Sequence, residues 1–219
     1  MTRHIERQID HLKQKIQFVG TLVEEAISKA ITALINRDTA LAQRVIESDA
    51  EIDRMEVEVE EECLKILALY QPVAADLRFV VSALKMNNDL ERMGDLAKNI
   101  AKRVGQLARG QQIELPTEIR PMAIKAQEMV MQSLEAVVNA DTTLARHVRE
   151  QDDEVDLARQ TIHEKVLRGI KESPENVEEL LRINSVSKHL ERLADMATNI
   201  AEDVIYMVEG DIVRHRSAD

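Results

Sequence analysis

The chain contains a near-copy of one of its own segments, and this internal repeat constrains its fold more than any other feature. Residues 90–101 read LERMGDLAKNIA, and residues 190–201 read LERLADMATNIA, one hundred positions later. In the sixteen-residue windows that begin at Asp89 and His189, nine positions are identical. Some of the shared residues are apolar, as the core of a helical bundle requires, but Glu, Asp and Asn are shared as well. The repeat therefore predicts two similar halves that have Glu, Asp and Asn side chains at equivalent positions.

The sequence is typical of long amphipathic helices. Aromatic residues make up 2% of the 219, and six glycines and four prolines interrupt the chain. Apolar residues recur at spacings of three and four from Ile5 to Ala33, which predicts a long first helix. Asp38 is placed to cap the second helix, and Pro72 ends it because proline cannot continue a helix. We therefore predict an all-α fold of two tandem, internally repeated three-helix bundles.

The boundary between the halves is predicted in the segment RGQQIELP, residues 109–116, which combines glycine, proline and polar residues. The first three-helix bundle is expected over residues 1–110 and the second over residues 116–219. The second half repeats the plan of the first, with a fourth helix to about Asn139, a fifth to about Lys171 and a sixth to about Val208. Short connections make neighbouring helices antiparallel.

Charge and cysteine content limit the classes of partner. The net charge of −11 disfavours nucleic acid, because binding to the phosphate backbone needs clustered Lys and Arg. It suits a protein that binds cations or basic surfaces. No stretch approaches 18 uninterrupted apolar residues and the first residues do not resemble a signal peptide, so we expect a cytoplasmic protein. The single cysteine, Cys63, is expected in the core.

Acidic pairs spaced by four residues recur at aligned positions on two helices of each half. Residues at i and i+4 lie about 6 Å apart on one helical face, so two carboxylates so placed can share a cation. Oxygen-rich sites suit Mg²⁺, Mn²⁺, Ca²⁺ or iron, and without a cysteine pair they do not suit structural zinc. The predicted metal ligands are Asp49, Asp53, Glu91 and Asp95 in the first half, and Asp152, Asp156, Glu191 and Asp195 in the second.

Three motifs together resemble the signature of the PhoU family of phosphate-uptake regulators, and the resemblance covers essentially the whole chain. They are QPVAADLR at residues 71–78, LERMGD at residues 90–95 and LERLAD at residues 190–195. The resemblance implies two similar three-helix bundles whose acidic motifs hold metal ions. Iron is the expected metal, with zinc, manganese or magnesium as alternatives. One departure is Ala194, where the family pattern favours the glycine that Gly94 supplies in the first copy.

The resemblance also implies a function and partners. Family members are cytoplasmic, non-enzymatic negative regulators of phosphate uptake. They connect the ATPase subunit of the phosphate ABC transporter with the sensor histidine kinase of the phosphate-starvation response. Homodimers and peripheral membrane association are expected as well.

Two other interpretations stay open at this point. The carboxylates could serve a carboxylate-bridged metalloenzyme or a metal-storage helical protein, although no Glu-x-x-His motif for a ferritin-like di-iron core occurs in the sequence. The chain could also be a helical scaffold that binds no metal, because 40 acidic residues produce many i,i+4 pairs by chance.

Overall fold

The fold is all-α, as predicted. A computed structural model describes residues 2–213, with side chains from His4 onward. No helix in that span is long and apolar enough to cross a lipid bilayer. The helices are α1 (Thr2–Asn36), α2 (Thr39–Tyr70), α3 (Ala74–Arg109), α4 (Ile119–Asn139), α5 (Thr142–Glu150), α6 (Asp152–Glu172) and α7 (Val177–Glu209), and a short 3₁₀ turn, Pro174–Asn176, precedes α7.

The local sequence explains where α2 and α5 begin and where α2 ends. Asp38 has extended backbone geometry and its carboxylate accepts a hydrogen bond of 2.9 Å from the amide of Leu41, so the predicted cap of α2 is confirmed. Asp141 caps α5 in the same way and accepts from two amides. At the end of α2, Gln71 adopts a left-handed conformation with φ of 46° before Pro72.

The middle helix of the second half differs from the prediction of one continuous helix. It is broken at Gln151 into α5 and α6, whereas α2 runs unbroken in the first half. The Gln151 side chain is buried, and its Nε2 donates to Gln132 Oε1 at 2.7 Å and to the carbonyl of His147 at 3.3 Å. The Gln151 side chain thus connects the break to α4, and Asp152 follows in the first turn of α6.

The two halves share one continuous hydrophobic core. The apolar stripe predicted for α3, which includes Leu90 and Met93, is buried. Helices α3 and α7 pack antiparallel between the halves: Lys85 Nζ lies 3.6 Å from a carboxylate oxygen of Asp203, and Arg103 Nε donates to Ser185 Oγ at 3.2 Å. These two contacts are equivalent under the repeat, because positions 85 and 103 correspond to positions 185 and 203.

The glycine of the first repeated motif lies where α2 and α3 approach closely. A Cβ atom on Gly94 would lie 3.0 Å from Ile52 Cδ1 and 3.2 Å from its Cγ2. In the second half, Ala194 aligns with Gly94, and the shorter Val155 aligns with Ile52; both are buried. A smaller side chain on one helix thus accompanies the larger one on its neighbour.

Candidate metal centres

The structure brings the predicted ligands together in two groups, one in each half. We call Asp49, Asp53, Glu91 and Asp95 the first carboxylate cluster; α2 and α3 supply it. We call Asp152, Asp156, Glu191 and Asp195 the second carboxylate cluster; α6 and α7 supply it. Burial and the charges of neighbouring carboxylates raise the pKa values of Asp53 and Glu91 in the first cluster and of Asp152 and Asp195 in the second.

In the first carboxylate cluster, a lysine lies between two of the four acids. Lys98 Nζ donates to Asp49 Oδ2 and lies 3.5 Å from Asp95 Oδ1. The hydrogen bond to Asp49 raises the pKa of Lys98. Asp49 is only 5% exposed, so the ammonium offsets a carboxylate that the packing of α2 removes from water.

The other two acids of this cluster, Asp53 and Glu91, take part in no ion pair among the side chains of residues 4–213. Burial raises the pKa of Glu91 first, and the charges of Asp95 and Asp53 raise it further. Burial and the charge of Asp49 raise the pKa of Asp53, and the charge of Lys98 partly opposes them. For Glu91, in contrast, burial and the negative neighbours all act in the same direction.

The second carboxylate cluster has a threonine where the first has its lysine. Burial raises the pKa of Asp152 to about 6, and the charges of Asp195 and Asp156 contribute. Burial raises the pKa of Asp195, and the charges of Glu191 and Asp156 raise it further. A hydrogen bond with the Thr198 side chain lowers the pKa of Asp152 and so partly opposes these causes, although threonine carries no charge.

One arginine contacts the edge of the second cluster. Arg159 Nε lies 3.5 Å from Glu191 Oε2. Arg159 aligns with Glu56 of the first half, which instead raises the pKa of Glu91 by its negative charge. A basic side chain thus contacts the clustered acids in both halves, but the two basic residues, Lys98 and Arg159, do not occupy equivalent positions of the repeat.

The donor atoms fit a hard cation. Asp152 Oδ1 and Thr198 Oγ1 are shielded from solvent, and the Thr198 hydroxyl lies within hydrogen-bonding reach of the Asp152 carboxylate. Carboxylate and hydroxyl oxygens are the ligands that Mg²⁺, Mn²⁺ and iron accept. No three His, Cys, Asp or Glu side chains in that part already converge on one point as metal ligands. A bound cation would therefore require side-chain rotations that draw the carboxylates together.

Sequence reasoning missed three residues that contact these acids, namely the cations Lys98 and Arg159 and the uncharged Thr198. The signal was present in the repeat itself. Position 98 is a lysine and position 198 a threonine within an otherwise shared motif, and position 159 reverses the charge of position 56. These residues can be found at positions where the two copies of the repeat differ, whereas a comparison of identical positions does not include them.

A cavity of about 740 Å³ lies between α2, α3 and α7, beside the first carboxylate cluster. Four of its lining residues are acidic and one is basic, so its charge repels an inorganic phosphate anion. This cavity suits a cation. Its charged lining residues are Glu56, Glu60, Asp89, Glu202 and Lys85.

Comparison with known proteins identifies the family. The family described as the PhoU domain matches residues 16–104 and again residues 119–204, once in each half. The chain belongs to the PhoU family. The two matches confirm the tandem repeat that the near-copy predicted.

Relatives and solved structures of PhoU proteins resemble the chain over almost its full length. It is 38% identical over 220 residues to the phosphate-specific transport system accessory protein PhoU homolog of Pseudomonas aeruginosa, covering 98% of this chain and 91% of that protein. The homolog of Aquifex aeolicus is 39% identical over 210 residues, which cover 96% and 95% of the two chains.

The structural comparison agrees. The crystal structure of PhoU from Pseudomonas aeruginosa matches with a TM-score of 0.91 at 37% identity, covering 94% of this chain and 99% of that one. The phosphate transport system regulatory protein PhoU of Streptococcus pneumoniae matches with a TM-score of 0.88 at 31% identity, covering 95% and 99%.

Proposed function

We propose that this chain is a non-enzymatic, metal-binding regulator of phosphate uptake. It acts in the cytoplasm as a negative regulator of the phosphate ABC transporter and of the phosphate-starvation two-component response. The observation that carries the proposal is the near full-length similarity to relatives named as accessory proteins of the phosphate-specific transport system. The acidic cavity between the halves supports a role in which phosphate status reaches the protein through a partner rather than as bound phosphate.

The metal part of the proposal rests on the two carboxylate clusters. Burial and neighbouring negative charges raise the pKa values of Glu91 and Asp152, and repulsion between carboxylates is relieved when a cation binds. Iron is the proposed metal, and zinc, manganese or magnesium are the alternatives. A bound cation would also offset the negative charge of a surface that has to approach anionic lipid headgroups, which is the basis of the proposed peripheral membrane association.

The proposed partners are the ATPase subunit of the phosphate ABC transporter and the sensor histidine kinase of the phosphate response. A homodimer is proposed as well. Helices of 32 to 36 residues such as α1, α2 and α3 extend about 50 Å and give continuous surfaces for protein docking.

The test is a tagged pull-down from phosphate-replete and phosphate-starved cells. Wild type is compared with a variant that carries Glu91→Gln, Asp95→Asn, Glu191→Gln and Asp195→Asn. A control carries Glu47→Gln and Glu51→Gln, an exposed i,i+4 pair outside both clusters. Recovery of the transporter ATPase or the kinase by wild type and the control, with loss in the cluster variant, supports the proposal.

Other outcomes would refute or change the proposed function. Recovery of neither partner under either condition refutes the assignment to phosphate signalling. Equal recovery by all three proteins separates partner binding from the carboxylate clusters. Catalytic turnover that depends on Glu91 and Asp95 would favour the carboxylate-bridged metalloenzyme, and a large iron load without partners would favour metal storage.

A further inference from the structure

The charge of the acidic cavity between α2, α3 and α7 is reversed at the equivalent positions of the second half. The four acids that line the cavity correspond under the repeat to positions on α6, α7 and α3, and each of these holds a basic residue type. Glu56, Glu60, Asp89 and Glu202 correspond to Arg159, His163, His189 and Lys102. The two halves therefore present side chains of opposite charge type in equivalent places.

Three cations of the second half form a surface that we call the basic counterpart: Lys102, Arg103 and Lys188. Burial and the positive charges of Arg103, Arg192 and Lys188 lower the pKa of His189 to about 4, so these cations lie close together around the imidazole. Lys102 precedes Arg103 on α3. Lys102 and Lys188 are exposed, and neither forms an ion pair among the side chains of residues 4–213. The basic counterpart is thus uncompensated positive charge on a chain whose net charge is negative.

The acidic cavity lacks the groups that a lysine ammonium would supply. Glu56 and Glu60 form no ion pair within the described residues, and burial and the charge of Glu60 raise the pKa of Glu56. Asn87 lines the cavity and is only 1% exposed. Its Nδ2 donates to the carbonyl of Glu56 at 2.9 Å, whereas its buried Oδ1 has no hydrogen-bond partner in the described part of the chain. An ammonium carries both a positive charge and three donors.

Both surfaces lie on the same side of the molecule. The cavity is lined by α2, α3 and α7, so it opens on the side of α3 and α7 that faces away from α1 and α4. The two-fold relation between the halves places the basic counterpart on that side as well, across the axis from the cavity. A second copy turned over onto this side therefore brings a cavity against a basic counterpart twice, which is the arrangement of a closed symmetric dimer.

We propose that the chain forms a symmetric dimer through this side, in which Lys102 and Lys188 of each copy enter the acidic cavity of the other. This inference rests on the homodimer of the proposed function and specifies its interface. A second copy is the occupant because both complementary surfaces belong to this chain. Charge complementarity of this kind fixes the register of two surfaces and disfavours pairs of like charge.

Two charge reversals and their mixture test the interface by sedimentation velocity of the full-length chain. Lys102→Glu/Lys188→Glu makes both surfaces acidic, and Glu56→Lys/Glu60→Lys makes both basic. Wild type should sediment as a dimer, and each variant alone should dimerise at least about tenfold more weakly, because like charges then face each other. An equimolar mixture of the two variants should restore the dimer, since each copy then offers the charge that the other lacks.

The controls change the net charge equally at exposed positions near the ends of α1 and α6. They are Arg7→Glu/Lys171→Glu and Glu6→Lys/Glu172→Lys, which should dimerise like wild type. Circular dichroism checks that every variant keeps its helices.

Three results would overturn the interface: a monomeric wild type, a dimer that neither reversal weakens, or two monomeric variants that do not combine when mixed. The pull-down described above measures partner binding separately. Recovery of the transporter ATPase with any of these three results would reject the interface and keep the assignment to phosphate regulation. A dimer that follows the expected pattern without either partner would do the reverse.

Discussion

At the scale of single residues, Asp152 connects charge to stability. Its pKa is raised to about 6 from the ordinary value of 3.8, because the folded chain buries it near Asp195 and Asp156. A carboxyl whose pKa is higher in the folded than in the unfolded state disfavours folding once it ionises. The penalty is absent below about pH 4, where both states are protonated, and is complete above about pH 6.

We predict that Asp152→Asn stabilises the metal-free protein at neutral pH, because the amide carries no charge to bury. The gain should be about 1 kcal/mol after screening by solvent, and it should shrink to near zero as pH falls from 6 to 4. Urea unfolding in a chelator at several pH values measures it. Asp153→Asn, at the exposed neighbouring position, is the control; a gain of equal size and pH profile in that variant would contradict the prediction.

The sequence predicted which acids meet but not what balances them. In each half the two acidic pairs lie near each other on neighbouring helices, because identical spacing on equivalent helices dictates a common face; their role as metal ligands stays a prediction. The burial of Asp49 and its pairing with Lys98 depend on how α2 and α3 pack, which the spacing of residues along either helix does not specify.

At the scale of helices, the N-terminal capping residues Asp38 and Asp141 determine where α2 and α5 begin. Asp141 accepts hydrogen bonds from the amides of Thr143 and Leu144 at 2.9 and 3.0 Å, and it starts a helix of only nine residues. We predict that Asp141→Ala costs about 1 kcal/mol of unfolding free energy, at least as much as Asp38→Ala on the longer α2. Asn keeps a capping oxygen, so Asp141→Asn should retain most of the stability in chemical denaturation. A similar loss in both Asp141 variants would rule out the capping explanation.

The packing of α2 against α3 predicts an energetic coupling. Gly94→Ala gains helix propensity but forces a Cβ to within 3.0 Å of Ile52 Cδ1. In an Ile52→Val background, which imitates the second half, Gly94→Ala should be more favourable by about 1 kcal/mol than in wild type. A double-mutant cycle by urea unfolding measures this difference.

The control for that cycle is Gly105→Ala on the same helix, where a Cβ would meet no atom within 4 Å. It should stabilise the chain by up to about 1 kcal/mol in either background, because only helix propensity changes. Zero coupling between Gly94→Ala and Ile52→Val would show that α2 and α3 relax apart at no cost.

The break between α5 and α6 is a feature that helical periodicity did not predict. The apolar pattern continues across Gln151, with Val148 before it and Val155 after it, so the sequence favours an unbroken helix. The hydrogen bond from Gln151 to Gln132 on α4 is a tertiary contact that no local pattern reveals.

At the scale of the whole molecule, the shared core ties the halves together. In addition to α3 and α7, α1 and α4 meet: a Cβ on Gly20 would lie 3.0 Å from a methyl group of Leu134. We predict that the full chain unfolds in one cooperative transition, and that residues 1–112 alone self-associate or lose cooperativity because they expose the face that α4 and α7 cover. Light scattering and urea unfolding measure both properties. A monomeric fragment that unfolds as sharply as the whole chain would contradict the prediction.

The two equivalent contacts between α3 and α7 have a consequence for what a duplicated gene can encode. The Lys85–Asp203 and Arg103–Ser185 contacts exchange under the repeat, as they would in a two-fold dimer of single repeats. Such a dimer has one sequence for both subunits, so it must place a lysine in both acidic clusters or in neither. Covalent fusion removes this restriction, and Lys98 and Thr198 have diverged within it. The chain therefore resembles a two-fold dimer of single repeats in which the two repeats can differ in sequence.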